Sequence, residues 1–136
     1  MKLVAYLTFN GNCEEALNFY KNALDGEITH ISKMGDTPGM EIPEHQKNNV
    51  MHATLKLGNN ELMMSDSFDN AQYKPGNNIT LSLHPETIQQ EENLFSKMAE
   101  GGQITQPLQD TFWGARFGML VDKFGINWMF NTELKK

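Results

Sequence analysis

Apolar and polar residues alternate from Lys2 to Phe9, a period-two pattern that predicts a half-buried strand. The period then changes: Cys13, Ala16, Leu17, Tyr20 and Leu24 recur at helical spacing. Asn12 stands at the N-cap position of this helix with Glu15 close behind it, and Gly26 follows as the stop. Glu27 to Met34 reads as a second strand. Gly35 to Asn48 carries Gly, Pro and charge without periodicity, which predicts an exposed loop long enough to suggest function. Asn49 to Leu57 and Glu61 to Ser65, joined through Gly58-Asn59-Asn60, predict a hairpin.

The polar stretch from Ser67 to Asn77, with Pro75-Gly76, reads as a connector. Asn78 to His84 reads as a strand. Thr87 with Gln90 gives a capping signal, and Ile88, Leu94, Phe95 and Met98 form the buried stripe of a second helix that ends at Gly101-Gly102. Three more strands are predicted, at Ile104 to Thr111, Ala115 to Asp122 and Ile126 to Asn131. The order of the first half therefore recurs. Leu7-Thr8-Phe9-Asn10 leads to Asp25-Gly26-Glu27-Ile28-Thr29, and Leu81-Ser82-Leu83-His84 leads to Gly101-Gly102-Gln103-Ile104-Thr105. A repeat of this length is a supersecondary module duplicated once rather than a solenoid. The fold class is α+β: two β-α-β-β-β modules, about 1–66 and 77–132, within a single domain spanning 1–136. Curved mixed sheets carry helices on their convex side, and the groove between such sheets is a natural ligand site.

Composition narrows this picture. Hydrophobic content of 39% supports a packed core, and a length of 136 residues suits one domain. The net charge of −6, without a Lys/Arg stripe, weighs against nucleic acid. No apolar run has membrane-spanning length and the N-terminus lacks a signal-peptide pattern, so cytoplasm is the expected location. Cys13 is the single cysteine, which rules out an intrachain disulfide.

The run Tyr6-Leu7-Thr8-Phe9-Asn10-Gly11-Asn12, followed by Glu14-Glu15-Ala16-Leu17-Asn18-Phe19-Tyr20-Lys21, resembles the opening of PhnB-like proteins of the vicinal oxygen chelate (glyoxalase/bleomycin resistance/dioxygenase) superfamily. Val50-Met51-His52-Ala53 and Leu62-Met63-Met64-Ser65-Asp66 resemble that family's hairpin. Phe112 to Gly118, then Asp122-Lys123-Phe124-Gly125 and Trp128, resemble its last strands. The resemblance implies the glyoxalase/bleomycin resistance fold and a homodimer. In catalytic members it also implies a divalent metal held by a His/Gln/Glu set, one ligand from each of four strands, acting as a Lewis acid. Here the matched slots fall at Ala5, at Leu62 or Met63, among Asn78, Thr80 and Ser82, and at Met129. No metal and no other cofactor is expected.

His52, which shares a strand face with Thr54 and Lys56, is the best candidate for acid/base work because imidazole can titrate near neutral pH; a purely structural role is the alternative. Tyr6, Met63, Asp66, Trp113, Arg116 and Trp128 complete the candidate ligand-lining set. Asp66 reads first as a turn cap and both tryptophans first as core, and Arg116 reads equally as a salt-bridge partner. Cys13 reads as packing. The leading function is binding of an unidentified small molecule in the cup, without metal. The alternatives are a diverged metal-dependent lyase, isomerase or dioxygenase using His52 with Glu61 or Asp66, and a drug-sequestering resistance protein. No glycine-rich adenosylmethionine motif follows a strand.

Overall fold

The computed structural model describes residues 1–135. The chain divides into two compact units, Met1–Lys74 and Pro75–Lys136, and the division falls inside the polar connector. Each unit is built the same way. In the first, strand β1 (Ala5–Phe9) leads into helix α1 (Cys13–Leu24), then β2 (Glu27–Lys33), β3 (Val50–Leu57) and β4 (Asn60–Asp66). In the second, β5 (Leu81–Leu83) leads into α2 (Ile88–Met98), then β6 (Gln103–Asp110), β7 (Ala115–Val121) and β8 (Asn127–Glu133). The sheet orders are β1-β4-β3-β2 and β5-β8-β7-β6, so in each the first strand pairs parallel to the last. These are the two β-α-β-β-β modules predicted from the periodicity.

In the first unit α1 packs on β2, β3 and β4. It buries Cys13, Ala16, Leu17, Tyr20 and Ala23 against Leu7, Phe9, Ala53, Leu55, Leu62 and Met64. Strand side chains alternate, so the opposite, helix-free face carries Tyr6, Thr8, His52, Thr54, Met63 and Ser65. In the second unit α2 lies on β8, burying Glu91, Phe95 and Met98 with Leu120, Trp128 and Phe130. Gly118 makes this possible. A Cβ there would lie 3.0 Å from Phe95 Cε2 and 3.1 Å from Gln106 O, so glycine lets the Phe95 ring reach Phe130, edge on at 5.2 Å.

Several local expectations are corrected. Asn12 makes no side-chain cap bond to α1. Asp66, at the end of β4, performs that role: its Oδ1 accepts from Gly11 N (2.8 Å) and Cys13 N (3.0 Å), and its Oδ2 from Val50 N (2.8 Å). Nor is Gly26 the left-handed stop, since Asp25 takes that conformation with φ 54°. Gly26 is needed for space: a Cβ there would lie 2.8 Å from Leu57 Cδ2 and 3.1 Å from Lys56 O. In the second unit Gly101 is left-handed (φ 72°) and Gly102 makes the close approach, so the two Asp/Gly-Gly pairs divide the work identically. Thr87 caps α2 as read from the sequence, accepting from Gln90 N at 3.1 Å.

Strand β5 is shorter than the predicted span. Its parallel pairing runs only from Leu81, opposite Trp128, to Leu83, opposite Phe130, and Pro85 just beyond it has no N–H to extend a ladder. The loop after β2 carries two short 3-10 turns, Met34–Asp36 and Glu44–Gln46; Met34, read from the sequence as the end of the second strand, opens the first of them and is buried. It borders a depression of about 580 Å³ lined by Gly35, Met40, Glu41, Ile42, Pro43 and Lys47, none of them a candidate site residue.

Candidate functional site

The helix-free face of the first sheet gathers the chemistry. Tyr6 on β1 and His52 on β3 flank Met63 of β4, which pairs with Tyr6 on one side and Thr54 on the other. The Tyr6 hydroxyl lies 3.1 Å from His52 Nδ1, and the two rings are stacked at 5.7 Å. Thr54 Oγ1 lies 3.4 Å from His52 Nε2, so both ring nitrogens face hydroxyls that can donate or accept. His30 on the edge strand β2 completes the group, its ring 5.6 Å from that of His52. Tyr6 is 48% exposed, whereas Thr54 is buried, so the cluster is anchored at its base and open at its top.

His30 was not singled out from the sequence, because the four histidines show no common spacing. It reaches His52 through a register shift between Ile28 and His30, which sets His30 opposite Thr54. Only the pairing of β2 with β3 carries that signal.

The second sheet has a different helix-free face. Ser82 pairs with Met129, Met119 with Met129, and Phe117 with Asn131. Trp113, 54% exposed, lies over this face: its Nε1 donates to Asn131 Oδ1 at 3.3 Å and its ring meets Phe117 edge on at 5.7 Å. Phe112 beside it is 97% exposed. At the end of β5 the Ser82 hydroxyl lies 2.8 Å from His84 Nε2. This face is aromatic and thioether-rich, with amide and hydroxyl groups between.

The remaining candidates lie elsewhere. Trp113 is not core, because the turn between β6 and β7 carries it out of the sheet's buried layer. Trp128 is core: it is 1% exposed, on the helix side of β8, and its Nε1 donates to Asp122 Oδ2 at 2.8 Å. Asp66 is committed to the three backbone N–H groups named above. Arg116 stands opposite Thr132 on the helix side of β7. Its guanidinium pairs with Glu92 of α2 and with Asp110, so the salt-bridge alternative describes it. Trp128, Asp66 and Arg116 are displaced for the same reason: neighbouring residues on a strand face opposite ways, and these three sit on the helix side.

Cys13 is fully buried in the first turn of α1. Burial, with the Asp66 and Glu14 charges adding to it, holds its thiol well above the ordinary cysteine range, so it is packing rather than a nucleophile.

The donors a superfamily metal would require are not assembled. The β1·β4 junction offers Ala5 with Leu62 and Tyr6 with Met63, and the β5·β8 junction offers Ser82 with Met129. Methyl, thioether, phenol and hydroxyl groups are poor substitutes for imidazole and carboxylate. Among the described residues no three His, Cys, Asp or Glu side chains come together as a metal-binding group.

A family profile described as 3-demethylubiquinone-9 3-methyltransferase matches residues 1–130. A PhnB protein from Bacillus cereus is 33% identical, with TM-score 0.80 over 97% of this chain and 99% of that one. The chain belongs to the PhnB-like family. Protein PA1353 from Pseudomonas aeruginosa is also similar to this PhnB-like chain, at 40% identity and TM-score 0.89 over 99% of both chains. A glyoxalase/bleomycin resistance/dioxygenase family enzyme from Burkholderia phytofirmans is only 12% identical but has TM-score 0.66 over 96% of this chain and 97% of that one, which shows the shared superfamily fold. No helix of the described residues is long and apolar enough to cross a membrane.

Proposed function

We propose that this PhnB-like protein binds a small, partly apolar organic molecule on the helix-free faces of its sheets, without a resident metal, as a cytoplasmic homodimer. The observation that carries the reading is the Tyr6–His52–Thr54 chain with His30 beside it. Four polar side chains converge on a sheet face that no helix covers, and Met63 supplies an apolar floor between them. His52 is held at both ring nitrogens, so a ligand meets an oriented imidazole. Tyr6, at the open side of the cluster, is the hydroxyl a ligand oxygen would meet first, and His52 behind it is placed to take or return a proton. Trp113 and Phe117 give the second face a surface on which a planar group can stack.

The methyltransferase activity in the family description finds little support at this site. At the start of α1, Gly11 N and Cys13 N are bonded to Asp66 and so are not free to meet a ligand. The turn into α2, His84-Pro85-Glu86-Thr87, contains no glycine.

A thermal-shift screen of metabolites and cationic antibiotics against the purified protein tests this function. A ligand that raises the melting temperature of the parent protein should bind about tenfold or more weakly to His52→Ala and Tyr6→Phe, the loss of one well-placed hydrogen bond. Elemental analysis should find substoichiometric metal, and EDTA should leave the melting temperature unchanged, because a metal bound only to the folded state would have added stability. One tightly held Mn, Ni, Zn or Fe per chain, lost in His52→Ala, would establish the metal-enzyme alternative instead.

The dimer has its own check. Among the described residues each sheet ends in edge strands with one open side, β1 and β2 in the first and β5 and β6 in the second, and Tyr6, Ile104, Phe112 and Trp113 expose large apolar surface. Light scattering at micromolar concentration should report twice the mass of one chain. A monomer there removes this part of the proposal.

A further inference from the structure

Glu91 is buried where an acid is least expected. It is the fourth residue of α2, the place that Ala16 holds in α1, and it is 0% exposed. Among the described residues neither of its carboxyl oxygens is aligned for a hydrogen bond, and the polar group beside it is the Thr132 hydroxyl on β8, equally buried. Arg116 on β7 is the cation whose charge reaches Glu91. It is engaged elsewhere: Nη1 bonds Glu92, and Nε faces Asp110 Oδ1 at 3.3 Å without being aligned for a hydrogen bond. Two surface carboxylates, one on α2 and one ending β6, therefore hold the guanidinium away from the buried one. Toward Glu91, β8 turns Thr132, which is uncharged, and α2 itself adds only the like charge of Glu92.

We propose that Glu91 is a proton-binding site built into the helix–sheet interface of the second unit: the folded unit holds it as a neutral carboxylic acid, and its ionisation weakens the seating of α2. The protonated form is the one these surroundings suit. It places no charge in the buried layer and carries an O–H that the Thr132 oxygen can accept, whereas the carboxylate would be a buried charge with only the Thr132 hydroxyl to donate to it. Burial pushes the carboxyl above the ordinary glutamate range and Glu92 adds to the rise, while Thr132 and Arg116 offset part of it.

The sign of the pH dependence follows. The folded state binds this proton more tightly than the unfolded chain does. The stability it contributes is complete below the unfolded glutamate pKa and is lost as pH rises through the higher folded one. Glutamine keeps the shape and an N–H donor but cannot ionise.

Melting curves of the parent protein and Glu91→Gln from pH 4 to pH 8 test the proposal. The two should coincide near pH 4, and the variant should melt about 3–6 °C higher at neutral pH. In the parent protein the Glu91 carboxyl carbon, followed by NMR, should titrate above the other glutamates. The proposal is overturned if the difference in melting temperature is the same at every pH. It is also overturned if the variant is less stable at neutral pH, or if Glu91 titrates within or below the ordinary glutamate range. The NMR titration needs no variant, so it decides the matter even if Glu91→Gln does not fold.

Discussion

Replacing Asp66 with alanine should destabilise the folded protein by about 3–5 kcal/mol, the combined effect of leaving three backbone N–H groups without their acceptor. Gly11 N, Cys13 N and Val50 N all donate to this one carboxylate, and the last two bonds are buried. The bonds tie the start of α1 and the start of β3 to the end of β4, so the loss reaches three elements at once. Negative charge at the first turn of a helix is favourable as well, and alanine removes it. Asparagine should recover part of the stability. Its oxygen can still serve α1, but its amide would face Val50 N–H donor to donor. Urea denaturation of the three proteins measures the order. If Asp66→Ala lay within about 1 kcal/mol of the parent, the usual range of a single exposed cap, the claim that Asp66 organises this corner would be wrong.

Gly102→Ala should be the most damaging glycine substitution of the second unit, at about 3 kcal/mol or more. A Cβ at this position would lie 2.3 Å from Val121 O and 2.9 Å from Asp122 Cα. Those are backbone atoms at the end of β7, held by the Asp122 turn, in which Oδ1 accepts from Phe124 N and Ile126 N. Neither can move without disturbing the strand that pairs with β8. Gly101→Ala makes the informative contrast. Its backbone is left-handed, which strains any L residue by about 1–2 kcal/mol, but the atoms nearest its new methyl belong to the Lys123 side chain, at 3.2 Å and beyond. Thermal unfolding should rank Gly102→Ala well below Gly101→Ala. The reverse order would mean that backbone conformation, not the close approach, governs this turn.

The elements of this fold follow from short-range patterns. The change from period two to helical spacing after Phe9 places β1 and α1, and the same change recurs to place β5 and α2, with Thr87 capping α2 as its own neighbourhood indicates. The corresponding pairs Asp25-Gly26 and Gly101-Gly102 mark where helix gives way to edge strand. Such features depend on residues a few positions apart, and alternation or helical periodicity carries them directly. The family resemblance draws on the same strings and leads to the same architecture.

The site is a different matter. His52 could be named from its strand face, but His30 could not, because a register shift in β2 sets which side chain stands beside it. Arg116 and Phe117 are adjacent in sequence, yet one reaches Glu92 across the helix side while the other supports Trp113 on the open side. Which of two neighbours faces the helix depends on the pairing of β7 with β8, and a displacement of one residue reverses it.

Capping of α1 shows the same limit. Asn12 has the right chemistry and place, but the acceptor that arrives is Asp66, from a strand more than fifty residues away. The burial of Glu91 is equally nonlocal. In sequence it is one of two adjacent glutamates on a polar helix; in space one is in solvent holding Arg116 and the other is sealed against Thr132. Periodicity along the chain is enough to specify strands, helices, their order and their duplication, because the spacing of apolar residues records which face of each segment is buried. Which side chains meet is set by strand register and by the side each helix covers, and those come into being only when segments distant in sequence pack together.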